Sequence, residues 1–208
     1  AIFLYCGFVA AEGICGLSKS LYYGDSPDIF RSRIANILRR LLVLLCKPFT
    51  CAFQHSRKNA EANPDIVKRI CAEGHELGNH SWDHPDLSVL SRQEIIEQLQ
   101  STDDAVFKAC GHDPVYIRPP FGAMSDTYHD SVDRDSILWT IDTRDWESHD
   151  ASKIKKVIDT YVSDGSIILL HDIHEDSVKA MKSVIPDLLE KGYQLGTVSD
   201  LYKYGRLS

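Results

Sequence analysis

The sequence predicts an α/β fold in which a parallel sheet closes, or nearly closes, into a (β/α) barrel, and three observations carry that expectation. Strand-like and helix-like segments alternate from residue 59 onward. Ile167-Ile168-Leu169-Leu170 is continuously apolar, as in a strand buried on both faces. Clusters of His, Asp and Arg fall directly after the strand candidates, where barrel loops collect active-site residues. A chain of 208 residues is long enough for one such domain with its own core.

The elements follow from their punctuation. Asn63 stands where a helix cap belongs, Pro64 suits the first helical position, and Gly74 suits the stop. Residues 75–79 then read as a short strand. Ser91 and Glu94 make a capping box before a helix that reaches about Cys110 and stops at Gly111. Residues 115–117 and 137–140 read as strands, the second rich in β-formers. Asp150 caps a helix running to about Val162, and Gly165 closes it. A helix from about Asp176 to Gly192 contains Pro186, a kink signal, and residues 193–198 form a last strand. Upstream, residues 31–46 suit a helix and 48–54 a strand.

Composition narrows the function classes. With 23 Lys and Arg against 30 Asp and Glu the formal net charge is −7, which argues against a nucleic-acid partner, because such binding rests on cations neutralising phosphates. No apolar run reaches the roughly 18 residues a membrane-spanning helix needs. Residues 1–16 begin with an uncharged apolar stretch, either the tail of a secretion signal or a buried strand; residues 17–208 form the domain proper. The six cysteines show no C-x-x-C pair; Cys71 and Cys110 fall in helical patterns and read as small buried side chains.

Four clusters carry chemistry. In His80-Ser81-Trp82-Asp83-His84 two imidazoles four residues apart can reach one ion, and Pro85 places the pair on a turn rather than a helix. Spacing alone does not separate such ligands from two surface histidines. Arg118-Pro119-Pro120-Phe121-Gly122 is a stiff loop able to hold an arginine and a backbone N–H in fixed places. Asp142-Thr143-Arg144-Asp145-Trp146 follows a strand candidate. Leu169-Leu170-His171-Asp172 ends an apolar strand in a histidine beside a carboxylate, a pairing that fixes the imidazole tautomer and suits it to acid catalysis.

Together and in this order, the clusters resemble the polysaccharide deacetylase family, also called the chitooligosaccharide deacetylase homology domain or carbohydrate esterase family 4. The run from Gly74-His75-Glu76-Leu77-Gly78-Asn79-His80 through His84-Pro85-Asp86-Leu87 is similar to its second motif. Arg118 to Gly122 is similar to the third, Asp142 to Trp146 to the fourth and Leu169 to His171 to the fifth. The likeness covers about residues 59–204. It implies a distorted (β/α) barrel and a divalent metal, zinc first and cobalt or another transition metal as alternatives, held by His80, His84 and an aspartate. It further implies that Arg118 orients the catalytic base, that the Phe121 N–H faces the oxyanion, and that Asp145 holds His171, the general acid. Trp146 and Leu169 would line the acetyl-methyl pocket. The implied reaction is removal of N-acetyl groups from a β-1,4-linked aminosugar polymer, peptidoglycan or chitin, by a metal-activated water, outside the cytoplasm.

The family's first motif is the exception. It reads Thr-Phe-Asp-Asp-Gly-Pro, and the nearest segment here is Tyr22-Tyr23-Gly24-Asp25-Ser26-Pro27. Asp25 takes the place of the third metal ligand, while Gly24 takes that of the base and cannot accept a proton. This departure opens the reading of an impaired enzyme or a carbohydrate-binding pseudoenzyme, while within the enzymes the rival is an acetylxylan esterase, since the same machinery cleaves esters.

Overall fold

The computed structural model describes residues 2–8, 52–55 and 63–203, the first two stretches as strand backbone. In chain order the strands are β1 (Ile2–Phe8), β2 (Ala52–His55), β3 (Glu76–Asn79), β4 (Tyr116–Ile117), β5 (Ile141–Asp142), β6 (Ile167–His171) and β7 (Leu195–Gly196). The α-helices are α1 (Pro64–Ala72), α2 (Arg92–Cys110), α3 (Asp126–His129), α4 (Asp145–Ser148), α5 (Ala151–Tyr161), α6 (Glu175–Glu190) and α7 (Val198–Lys203).

The strands form one parallel sheet in the order β4-β3-β2-β1-β6-β5, with β7 also paired to β1. Residues 135–142 join its two edges. Ile117 exchanges backbone bonds with Asp135 and Ile137, and three residues later the Thr140 N–H donates to the Ile167 carbonyl, where β5 begins to pair with β6. The segment leaves one edge strand and joins the other, which closes a distorted (β/α) barrel. This is also why the strand expected over 137–140 is displaced. Leu138 and Trp139 lie in the gap between two partners, and regular pairing resumes only at Ile141.

The apolar pattern of β6 explains its place. Ile168 and Leu170 pack outward with Ile154 and Ile158 of α5 and with Val178, Met181, Val184, Ile185 and Leu188 of α6. Leu169 and His171 alternate onto the opposite face, as the two-residue period of a strand requires. The helices start and stop as their caps dictate. Ser91 and Glu94 close a capping box on α2, and Asp150 accepts from the Ser152 and Lys153 N–H groups of α5. Asn63 occupies the cap of α1, its carbonyl accepting from Ile66 and Val67.

Two expectations shift. Helix α6 runs on through Pro186 to Glu190, because Val184, Ile185 and Leu188 are all buried around the missing bond. The last strand shrinks to Leu195–Gly196 and α7 follows, capped where Thr197 and Asp200 exchange backbone-to-side-chain bonds. Of the two readings of the apolar start, Ile2–Phe8 is a strand, paired with β2, β6 and β7. The upstream helix expected over 31–46 lies outside the described residues, and of the strand expected over 48–54, residues 52–54 belong to β2. Among the described residues no helix is long and apolar enough to cross a membrane.

One expectation is overturned. Cys71 and Cys110 are not two separate buried thiols but a disulfide joining α1 to α2, with Cα atoms 6.1 Å apart. The two helices pack side by side and end at the same level, so the sulfurs meet although 39 positions separate them in sequence. Cross-linking a loop of that size removes chain entropy worth up to about 4 kcal/mol from the unfolded state. Cys71→Ala/Cys110→Ala should therefore lower the denaturation free energy by that order under oxidising conditions. Equal urea midpoints in parent and variant would show that the bridge does not form in solution.

Candidate active site

The loop after β3 places the two histidines. Asn79 anchors it, donating from Nδ2 to the Leu99 carbonyl (2.8 Å) and to Asp103 (2.7 Å) while accepting from the Ser81 N–H. Ser81 and His84 both adopt left-handed backbone, at φ of 64° and 59°, and the His84 N–H donates to Ser81 Oγ. These bonds turn the chain so that the His80 and His84 rings meet edge to face with centroids 4.8 Å apart. His80 Nδ1 lies 2.6 Å from the Arg118 carbonyl, which can only accept; Nδ1 therefore carries the proton and Nε2 is left with its lone pair. Burial, and then the Arg118 and His84 charges, hold the His80 pKa well below the usual histidine range. Burial, then His171, push His84 down to about 4. Both rings are thus neutral, the form that ligates a metal.

Opposite them stands His171, at the end of β6. Its Nδ1 is 2.7 Å from Asp145 Oδ1 and its backbone N–H donates to Oδ2. Asp145 is fully buried and also accepts from Ser177 Oγ (2.6 Å) and the Trp146 N–H (3.0 Å). Burial alone would raise this carboxyl, but the bonds from His171 and Ser177 outweigh it and hold it below the usual carboxylate range. An ionised Asp145 keeps the proton on Nδ1 and leaves Nε2 as the reactive end of His171. The sequence neighbour Asp172 does not share this duty: its carboxylate oxygens are buried without a hydrogen bond, and burial pushes its pKa well above the ordinary value.

The remaining candidates lie in the neighbouring loops and on β6. Arg118, 1% exposed, hangs from β4 with its N–H bonded to the Asn79 carbonyl, and its charge reaches His80 and His84. Phe121 sits at φ 60° in the 3₁₀ turn Pro120–Gly122, its ring exposed and stacked edge-on against His84 at 4.8 Å. Gly122 permits the turn: at φ +69° a Cβ would stand 3.1 Å from the Trp139 ring. Leu169 is buried on the His171 face, and Trp146 is partly exposed beneath Arg144. All five non-glycine residues with positive φ among the described residues, Ser81, His84, Phe121, Arg144 and His149, fall in these loops. Such strain collects where geometry serves function rather than stability.

His149 and His174, unmarked by any sequence signal, pack at 4.6 Å beside His171. No motif joins positions 149, 171 and 174; only the approach of α4 to the start of α6 does. Burial first, with His149 and His171 adding, pushes His174 down to about 4. In the unfolded chain it would titrate near about 6.5, so between about pH 4 and 6.5 the unfolded state binds a proton the folded state refuses. Stability of the metal-free protein should therefore fall as pH drops through that window. In urea titrations, His174→Asn should flatten this slope by up to about 1.4 kcal/mol per pH unit. An unchanged slope would assign the acid sensitivity to other groups.

The site suits a divalent cation. His80 offers Nε2, and His84 Nδ1 is buried without a hydrogen-bond partner. No third His, Cys, Asp or Glu among the described residues brings a ligand atom within 4.8 Å of both. Asp25, expected as the third ligand, lies outside the described residues, as does Gly24.

Comparison with known proteins adds the wider frame. A family model described as polysaccharide deacetylase matches residues 21–136. The chain is 38% identical over 140 residues to the peptidoglycan-N-acetylglucosamine deacetylase PgdA of Listeria monocytogenes, an alignment covering 67% of this chain and 30% of that protein. It thus spans about three-tenths of the length of that relative. Among solved structures, a T48 deacetylase with substrate superposes with a TM-score of 0.78 at 31% identity, covering 98% of this chain and 90% of the other. BA3943 of Bacillus anthracis, a CE4 family pseudoenzyme, superposes with a TM-score of 0.75 at 25% identity, covering 96% and 64%.

Proposed function

The chain belongs to the polysaccharide deacetylase family, and from that premise we propose that it is a metal-dependent hydrolase removing N-acetyl groups from a β-1,4-linked aminosugar polymer, peptidoglycan in the first place and chitin as the related substrate. The observation that carries the reading is the pairing of two neutral imidazoles, His80 and His84, with an Asp145-anchored His171 whose charge reaches both. His80, His84 and, by its motif position, Asp25 would hold the ion, with zinc or cobalt matching the imidazole-rich donor set. When bound, such an ion supplies Lewis acidity and makes water a nucleophile near neutral pH.

The chain's own residues do the rest. Trp146 and Leu169 flank His171 and suit the acetyl methyl. The stiff Pro119-Pro120 turn fixes the Phe121 peptide at the rim, where its N–H serves the acyl oxygen as charge develops there. His171 delivers a proton from Nε2 to the sugar nitrogen as the C–N bond breaks, so amine and acetate leave as separate products. Asp145 stabilises the imidazolium without taking its proton. The Cys71–Cys110 disulfide supports a place outside the cytoplasm, where the polymer is found.

Gly24 supports a second reading, a sugar-binding pseudoenzyme, since the position aligned with the base cannot accept a proton. Acetate release from chitooligosaccharides and peptidoglycan by the zinc- or cobalt-loaded protein decides between them. The deacetylase reading expects turnover with one ion per chain. A folded, metal-loaded protein that retains the glycan and releases no acetate would establish the pseudoenzyme. Acetate from acetylated xylan alone would make it an esterase.

A further inference from the structure

A second group of soft donors lies where α1 and α2 end together, ahead of β3, whereas His80 and His84 follow the other end of that strand. Cys71 falls in the last turn of α1, Cys110 is the final residue of α2, and His112 follows two positions later. Gly111 between them takes the left-handed conformation, φ 80°, with its N–H bonded to the Phe107 carbonyl. That turn folds the chain back and brings the imidazole over the cysteine pair. Ligand atoms of Cys71, Cys110 and His112 all lie within 4.8 Å of one another. The cysteines are half-buried and His112 is exposed, so ions and reductants have access. His112 Nδ1 approaches the Asp113 carbonyl at 3.3 Å, which leaves Nε2 for a ligand.

We propose that the reduced Cys71–Cys110 pair, together with His112, forms a second metal site for a soft divalent cation of the zinc or cadmium type, so that α1 and α2 are clamped either by a disulfide or by an ion. Two features favour the ion over free thiols. Both helices present their C-terminal ends here, and that end of the helix dipole attracts a cation and disfavours bare thiolates. The backbone also needs little adjustment. In a tetrahedral site with metal–sulfur bonds of about 2.3 Å the two sulfurs sit roughly 3.8 Å apart, a separation that cysteine side-chain rotation reaches from Cα atoms 6.1 Å apart. The chemistry balances. A dithiol gives two electrons and its own two protons and leaves as a disulfide, or a phosphine gives two electrons and leaves as the phosphine oxide while water supplies the oxygen and both protons; the incoming cation then displaces the two thiol protons. Water fills the fourth position.

The test titrates Cd²⁺ into the full chain before and after reduction with a trialkylphosphine, following cadmium–thiolate charge transfer and metal content. The histidine pocket and the other four cysteines serve as a constant background in every variant. The reduced parent should take up one more ion per chain than reduced Cys71→Ser/Cys110→Ser, and the oxidised parent should show no such excess. His112→Ala, which keeps the disulfide and the helices, should weaken the extra site at least about tenfold once reduced. Cd²⁺ should also raise the melting temperature of the reduced parent by more than that of the oxidised protein. Equal uptake by parent and double variant, uptake indifferent to His112, or a reduced protein that Cd²⁺ fails to stabilise would each overturn the proposal. Acetate release plays no part in the readout, so the outcome is independent of the deacetylase reading.

Discussion

Asp145→Asn should lower kcat for acetamide cleavage by about 10²–10⁴-fold and leave the bound metal unchanged. The carboxylate touches neither His80 nor His84. Its four bonds go to the His171 ring, the His171 N–H, Ser177 and the Trp146 N–H. An asparagine keeps the size but loses one acceptor and the charge. If its amide nitrogen faces the ring, His171 must carry its proton on Nε2 with Nδ1 accepting, the wrong tautomer for an acid that is to be recharged through imidazolium. His171→Gln should cost a comparable factor, and the double variant little more, because the two act as a unit. A pH profile separates chemistry from folding: the limb assigned to the acid should disappear in Asp145→Asn while a melting transition persists. Full activity in either single variant, with metal in place, would move the acid role to another group.

Replacing His80 and His84 together by alanine should abolish stoichiometric metal binding in the protein as purified. Two of the three expected donors vanish, and a lone carboxylate retains a transition metal poorly. The single variants are informative as well. His80 is oriented by the Arg118 carbonyl and should be the more costly loss, whereas His84 is aimed by its own left-handed backbone and Ser81. Neither substitution should unfold the chain, since both rings are neutral and their removal leaves no buried charge behind. Metal content determined on dialysed protein checks this directly. Unchanged content in the double variant would remove the ion from this pocket altogether.

Much of the local structure was legible because its causes sit within a few residues. The Ser91–Glu94 box and the Asp150 cap use side chains less than one turn from the backbone they satisfy, the Gly111 stop uses left-handed backbone open to a residue without a side chain, and each stands where the sequence places it. The apolar run of residues 167–170 announces β6 for a similar reason, since burial on both faces leaves no polar position. The Thr197–Asp200 cap follows the Ser/Thr-x-x-Asp/Glu pattern, but the β-forming residues around it point to a strand instead. The strand at 137–140 failed for a different reason: its β-forming composition is real, but the barrel stretches it between two partners.

At the site, the identities of the reactive groups can be read directly from the residues: His80 and His84 on a turn, a rigid Arg118–Gly122 loop, an aspartate and tryptophan at 145 and 146, and a histidine closing β6. Tertiary structure decided the partnerships. Asp145 and not the adjacent Asp172 holds His171, across 26 positions, because β5 lies beside β6 and α4 delivers the carboxylate over the strand end. Cys71 finds Cys110 across 39 positions because α1 and α2 run side by side. His149 reaches His174 only because α4 ends where α6 begins. A residue's chemistry and its local backbone preference are set by atoms within a turn or two, whereas its partner depends on which strands become neighbours, and that is fixed by the burial of the whole apolar pattern.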